Sequence, residues 1–104
     1  MGIDVAWVDE QHEQKQFVAD TGQWITRLAT SRWHKLTSSV CLRFVEPWGD
    51  AVFNQSQIPE LVNELRSEIA ETNDPGVRSH LEKVVRLVEK AVGETHTYIK
   101  FIGD

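Results

Sequence analysis

The chain has 104 residues, 40% of them hydrophobic and 26% charged, which gives one domain (1–104) with its own core and leaves no room for a second. No run approaches the roughly 18 apolar residues needed to span a bilayer, and the lone cysteine, Cys41, rules out an internal disulfide. Sixteen acidic residues against 11 basic ones give a net charge of −5 with no basic stripe, so phosphate backbones are repelled and a basic protein partner is favoured.

At the start, Met1-Gly2-Ile3-Asp4-Val5 lacks the basic segment and apolar stretch of a signal peptide. Ala6 stands where myristoylation wants Ser or Thr. The expected location is therefore cytoplasmic. Ile3, Val5 and Trp7 alternate with Asp4, Ala6 and Val8, the period of two that marks a strand. Trp7 on that face reads as core. Asp9 to Gln16 is polar and reads as a solvated loop.

Residues 17 to 37 carry the weakest pattern. Thr21 is the candidate cap of a short helix with Trp24, Ile25 and Leu28 on one side, although Gly22 and Thr26 oppose it. Val40, Leu42 and Phe44 alternate with Cys41, Arg43 and Val45, which predicts a second strand. Cys41 within it reads as a small buried hydrophobe rather than a reactive thiol, since no basic cluster surrounds it. Glu46-Pro47-Trp48-Gly49-Asp50 forms a turn, and Ala51-Val52-Phe53 a short return strand.

Ile58, Leu61, Val62, Leu65 and Ile69 form one helical stripe, with Ser56 as the expected N-cap and Pro59 tolerated in the first turn. Asn73-Asp74-Pro75-Gly76 ends that helix and starts another, capped by Asp74. The second stripe runs from Val77 through Leu81, Val84 and Val88 to Ala91 or Val92, and Gly93 stops it. Thr95 to Ile102 closes as a strand, Ile99 and Phe101 on one face and Tyr98, Lys100 and Ile102 on the other. The expected fold is α+β: a mainly antiparallel sheet of three to four strands on an antiparallel helix pair. The expected order is β, an irregular or short α segment, β, β, α, α, β.

Chemistry-bearing residues are sparse. His12, His34, His80 and His96 lack metal-ligand spacing, and Gln16 stands where a His12-Glu13 zinc-protease motif needs its second histidine. No serine elbow, phosphate loop or dinucleotide fingerprint is present, so no catalytic residue, metal or cofactor is assigned and an enzyme is not expected. Glu60, Glu64, Glu68 and Glu71 form a ridge on the first long helix, with Arg66 the only base nearby. It is either a solvated face or an acidic docking surface. It cannot flank a sugar bond across a cleft, as glycoside chemistry requires. Four tryptophans are many for this length. Trp48, in a Pro-Gly turn, is the best anchor for a partner, or else folds back over one end of the sheet. Asp50 and Asn54 either bond backbone groups of the turn and helix start or, with His96 and Asp104, line a small-ligand pocket.

The segments Gly49-Asp50-x-Val52-Phe53-Asn54-x-x-Gln57, Pro59-x-Leu61-x-x-Glu64-Leu65 and Tyr98-Ile99-Lys100-Phe101-Ile102-Gly103-Asp104 resemble a pattern in a group of small uncharacterised bacterial proteins. The likeness covers the C-terminal half and implies no activity. By class, a small acidic α+β chain of this kind is similar to bacterial toxin-immunity proteins. The leading expectation is an immunity-type inhibitor that occludes a toxin through Trp48, Asp50, Glu60, Glu64, Glu68 and Glu71. A small-molecule-binding or enzymatic domain using the Asp50/Asn54/His96/Asp104 region, and a structural homo-oligomer subunit, are the alternatives.

Overall fold

The structure, a computed structural model, describes residues 2–103. Four strands and three helices follow in the order β1 (Asp4–Asp9), β2 (Gln14–Val18), α1 (Trp24–Ser31), β3 (Ala51–Phe53), α2 (Ile58–Glu71), α3 (Pro75–Ala91) and β4 (Thr97–Ile102). Two 3₁₀ turns, Trp33–Lys35 and Leu42–Phe44, lie between α1 and β3. The sheet order is β2-β1-β4-β3, every neighbouring pair antiparallel. This is the expected α+β class. No helix among the described residues is long and apolar enough to cross a membrane.

Register decides which face each strand residue takes. Val5 pairs with Phe101, Trp7 with Ile99, Ala51 with Phe101 and Phe53 with Ile99, so these side chains share the helix-covered face. Phe53 and Phe101 meet edge-on, centroids 5.8 Å apart at 85°. Trp7 is only half-buried on that face and donates its indole N–H to the Thr97 hydroxyl. Across the opposite face runs the row Phe17, Ala6, Lys100, Val52.

Helix α3 lies against β1, β2 and β4, and α2 packs beside it. Ile58, Leu61 and Leu65 of α2, and Leu81, Val84 and Val88 of α3, are buried as their stripes predict. Asp74 caps α3, accepting from the amides of Gly76 (2.8 Å) and Val77 (3.3 Å). Gly93, at φ 81°, takes the left-handed conformation that stops the chain after α3.

Three expectations are corrected. The expected loop over Asp9 to Gln16 instead runs into edge strand β2 from Gln14 onward. The segment is exposed along nearly its whole length, so it has no apolar alternation to read. Asp9 folds the hairpin turn before it by accepting from the amides of Gln11 (2.9 Å) and Glu13 (3.0 Å). Residues 40–45 form no strand but carry the 3₁₀ turn Leu42–Phe44, because the amides of residues 40, 41 and 42 go to a side chain of α2, as set out below. Finally, the caps move. The α1 amides of Ile25 and Thr26 are taken by Asp20, not Thr21, at 3.1 and 3.3 Å. Asn54, not Ser56, opens α2. Its Oδ1 accepts from Gln57 N (3.1 Å) while Gln57 Oε1 accepts from Asn54 N (2.8 Å), a reciprocal capping box.

Candidate functional site

The acidic ridge of α2 splits into two kinds of residue. Glu60 and Glu71 are exposed, whereas Glu64 is half-buried and Glu68 buried. Glu64 Oε1 accepts from Ser39 Oγ (2.6 Å), Cys41 N (3.3 Å) and Leu42 N (2.9 Å), and Oε2 from Val40 N (2.7 Å). These are the amides that a strand over 40–45 would have spent on a ladder. Burial acts to raise the Glu64 pKa, but the amides and the Ser39 hydroxyl outweigh it and hold the carboxyl below its ordinary range.

Glu68 is pinned in the same way. Arg32 clasps it through Nε (2.8 Å) and Nη2 (2.9 Å), and the buried Trp33 donates its indole N–H at 2.7 Å. Arg32 also reaches Glu71 at 2.7 Å. The hydrogen bonds to Glu68 raise the Arg32 pKa further. Arg66 turns away and pairs with Glu89 of α3, so the base that meets the ridge is Arg32, from a segment the sequence left unread. The ridge is thus no continuous acidic docking face. Its two central carboxylates stitch residues 32–42 to α2, and both oxygens of each already accept hydrogen bonds from that segment.

Cys41 is fully buried in this seam. Burial first, then the charges of Glu64 and Glu60, push its thiol up to about 12, which makes it inert as a nucleophile.

The chain running through and beyond this seam exposes three large apolar side chains. Val40 is 50% exposed, Phe44 55% and Trp48 79%. Trp48 does not fold back over the sheet. Its turn is braced by the tail of the chain: Gly103 N donates to Asp50 Oδ1 at 3.1 Å. A Cβ on Gly103 would lie 2.4 Å from the Gly49 carbonyl oxygen and 2.8 Å from that of Pro47, so only glycine permits this approach. Asp50 Oδ2 also faces Lys100 Nζ at 3.6 Å.

Of the ligand-pocket alternative, the three described residues are not all gathered. Asn54 and His96 share a shallow polar recess with Gln55, Ser56, Thr97 and Tyr98. Asp50 lies at the other end of β3, about 13 Å away along the extended chain. Asp104 lies outside the described residues. Both Asp50 and Asn54 serve backbone amides, and His96, at φ 54°, pairs with Glu10 at 3.3 Å. Among the described residues, no group of three His, Cys, Asp or Glu side chains is placed to share a metal ion.

One buried pair has no sequence signal at all. Asp20 and His80 lie 60 residues apart, with Oδ1 and Nε2 3.5 Å from each other and neither hydrogen-bonded. Asp20 Oδ2 also takes the amide of Ile3 (3.1 Å), so this carboxylate ties β1, α1 and α3 together. Burial lowers the His80 pKa most, Asp20 and Asp4 act against that, and Lys83 reinforces it.

Comparison with family models, with curated proteins and with solved structures finds no match to this chain.

Proposed function

We propose that this chain is a protein-binding module, most concretely an immunity-type inhibitor that neutralises a bacterial toxin in the cytoplasm by covering it. One observation carries the reading: a tryptophan 79% exposed on a turn to which Gly103 hydrogen-bonds through Asp50. A large aromatic presented on a braced turn gives contact area at little ordering cost, as binding hot spots do. The net charge of −5 adds steering toward a basic partner. Within the expected surface, Trp48, Asp50, Glu60 and Glu71 remain at the exterior, and Glu64 and Glu68 support the segment from beneath.

Affinity capture from the source cells, at low and moderate salt, tests this. A stoichiometric partner that weakens with salt and is lost with Trp48→Ala is the expected result. A partner indifferent to Trp48→Ala and to Glu60→Lys would move the interface elsewhere. The uncovered sheet face, where Phe17 is 58% and Val52 41% exposed, supports a second reading as a homo-oligomer subunit. Light scattering that finds a monomer at working concentration removes that reading.

A further inference from the structure

The four tryptophans meet different fates. Trp33 is fully buried and hydrogen-bonded to Glu68. Trp7 carries Lys15 over its ring at 5.1 Å, and Trp24 carries Arg27 at 4.5 Å. Trp48 has neither burial nor, among the described residues, a cation over its ring. Glu46, two positions before it, is exposed, and its Oε1 lies 3.1 Å from where a Cβ on Gly49 would stand. That carboxylate therefore lies across the turn, beside the residue that follows Trp48, and no described cation pairs with it. Nearby cations are engaged elsewhere, Lys100 with Asp50 and Arg43 over Phe44 at 4.6 Å.

We propose that Trp48 and Glu46 form a receptor for a single cationic side chain, an arginine or lysine presented by the basic protein partner. The inference rests on the binding-module reading and names the group recognised. The indole face supplies the cation–π surface, strongest for tryptophan among the aromatic side chains. The Glu46 carboxylate, which lies beside Gly49, the residue next to Trp48, supplies the opposite charge. Arginine fits best, since its planar guanidinium stacks on the ring and presents N–H donors at its edge to the carboxylate.

The test is a titration of the ¹⁵N-labelled protein with tri-arginine amide, followed through the four indole N–H resonances. The Trp48 signal is assigned from its loss in Trp48→Phe. The Trp48 resonance should move saturably with tri-arginine and stay still with tri-citrulline, which has the same shape without charge. Glu46→Gln should weaken binding about two- to fivefold, the range for an exposed ion pair or cation–π contact. A stationary Trp48 resonance, an equal response to tri-citrulline, or unchanged affinity in Glu46→Gln overturns the proposal. The two readings fail separately. Trp48-dependent capture of a partner with no tri-arginine response leaves the binding module standing and removes the receptor. A charge-selective response at Trp48 without any captured partner does the reverse.

Discussion

Replacing Glu64 with glutamine keeps the shape of the side chain and removes its charge. Three of its four donors, Ser39 Oγ, Cys41 N and Leu42 N, converge on Oε1 and can stay with the amide carbonyl. Their bonds fall from charge-assisted to neutral strength, a loss of about 1 kcal/mol each before non-additivity. The fourth, Val40 N at 2.7 Å from Oε2, would meet the new NH₂ group, donor against donor, although water can reach this exposed site. Net destabilisation of about 2–3 kcal/mol is expected, a large part of the 5–15 kcal/mol typical of a domain. With a urea slope of about 1.5 kcal/mol/M, the midpoint falls by about 1.5–2 M at pH 7. The pH dependence sharpens the test. The folded carboxyl titrates below its unfolded value, so its contribution is complete above about pH 4.3 and fades as pH falls through the folded value. Below that point wild-type Glu64 is protonated, and the gap to Glu64→Gln should close. Urea unfolding followed by circular dichroism at pH 7 and pH 3 reads both effects. Equal midpoints at pH 7, or a gap unchanged at pH 3, would refute the account of how residues 39–42 are held.

Trp33→Phe should cost about 2–4 kcal/mol, since it leaves a void in a fully buried site and removes the donor to Glu68; thermal melts measure it. His80 titrates below its unfolded value, so the unfolded chain gains a proton that the fold resists as pH drops below about 6.5, and stability should fall there. His80→Gln should flatten that slope between pH 7.5 and pH 5 in urea midpoints, and parallel curves would exclude His80 as its source. Cys41 should react with a thiol-specific reagent at pH 8 only through opening of the 39–45 segment. Labelling should therefore be slow in the wild type and markedly faster in Glu64→Gln.

Sequence periodicity located what it physically encodes. α2, α3, β1 and β4 bury continuous stripes, and the pattern of Ile, Leu and Val records those stripes directly. It failed where burial does not alternate. β2 is an exposed edge whose register comes from pairing with β1, not from its own side chains. Residues 40–45 do alternate in hydropathy, yet Glu64 claims the amides of residues 40, 41 and 42 from 22 to 24 positions away, and tertiary hydrogen bonding overrides a local pattern. For Trp48 the sequence left two alternatives, an exposed anchor or a cover for one end of the sheet, because a Pro-Gly turn resists full burial without forbidding it. Glu46 carried no signal in the sequence, because whether a carboxylate has a cation beside it is a matter of three-dimensional placement. Nor did Arg32, whose carboxylate partners lie 36 and 39 positions along the chain.

The strand order has a kinetic consequence. β4 is the bridge of the sheet: β1 and β2 stand on one side of it and β3 on the other, with no pairing between the two sides except through it. Its partners include Asp4, opposite Ile102, at nearly the full span of the chain. Before β4 is synthesised the nascent chain can already make the β1–β2 hairpin, the α2–α3 pair and the contacts of α3 with β1, β2 and α1, but not the sheet pairings of β1 and β3 with β4. Removal of residues 97–103 should therefore leave β3 without a strand partner, while β1, β2 and the helices keep their mutual contacts. The adjacency of Asp4 and Ile102 also makes a circular permutant feasible, with β4 joined to β1 by a short linker, and in that permutant the slowest contact of the wild-type chain becomes one of its most local.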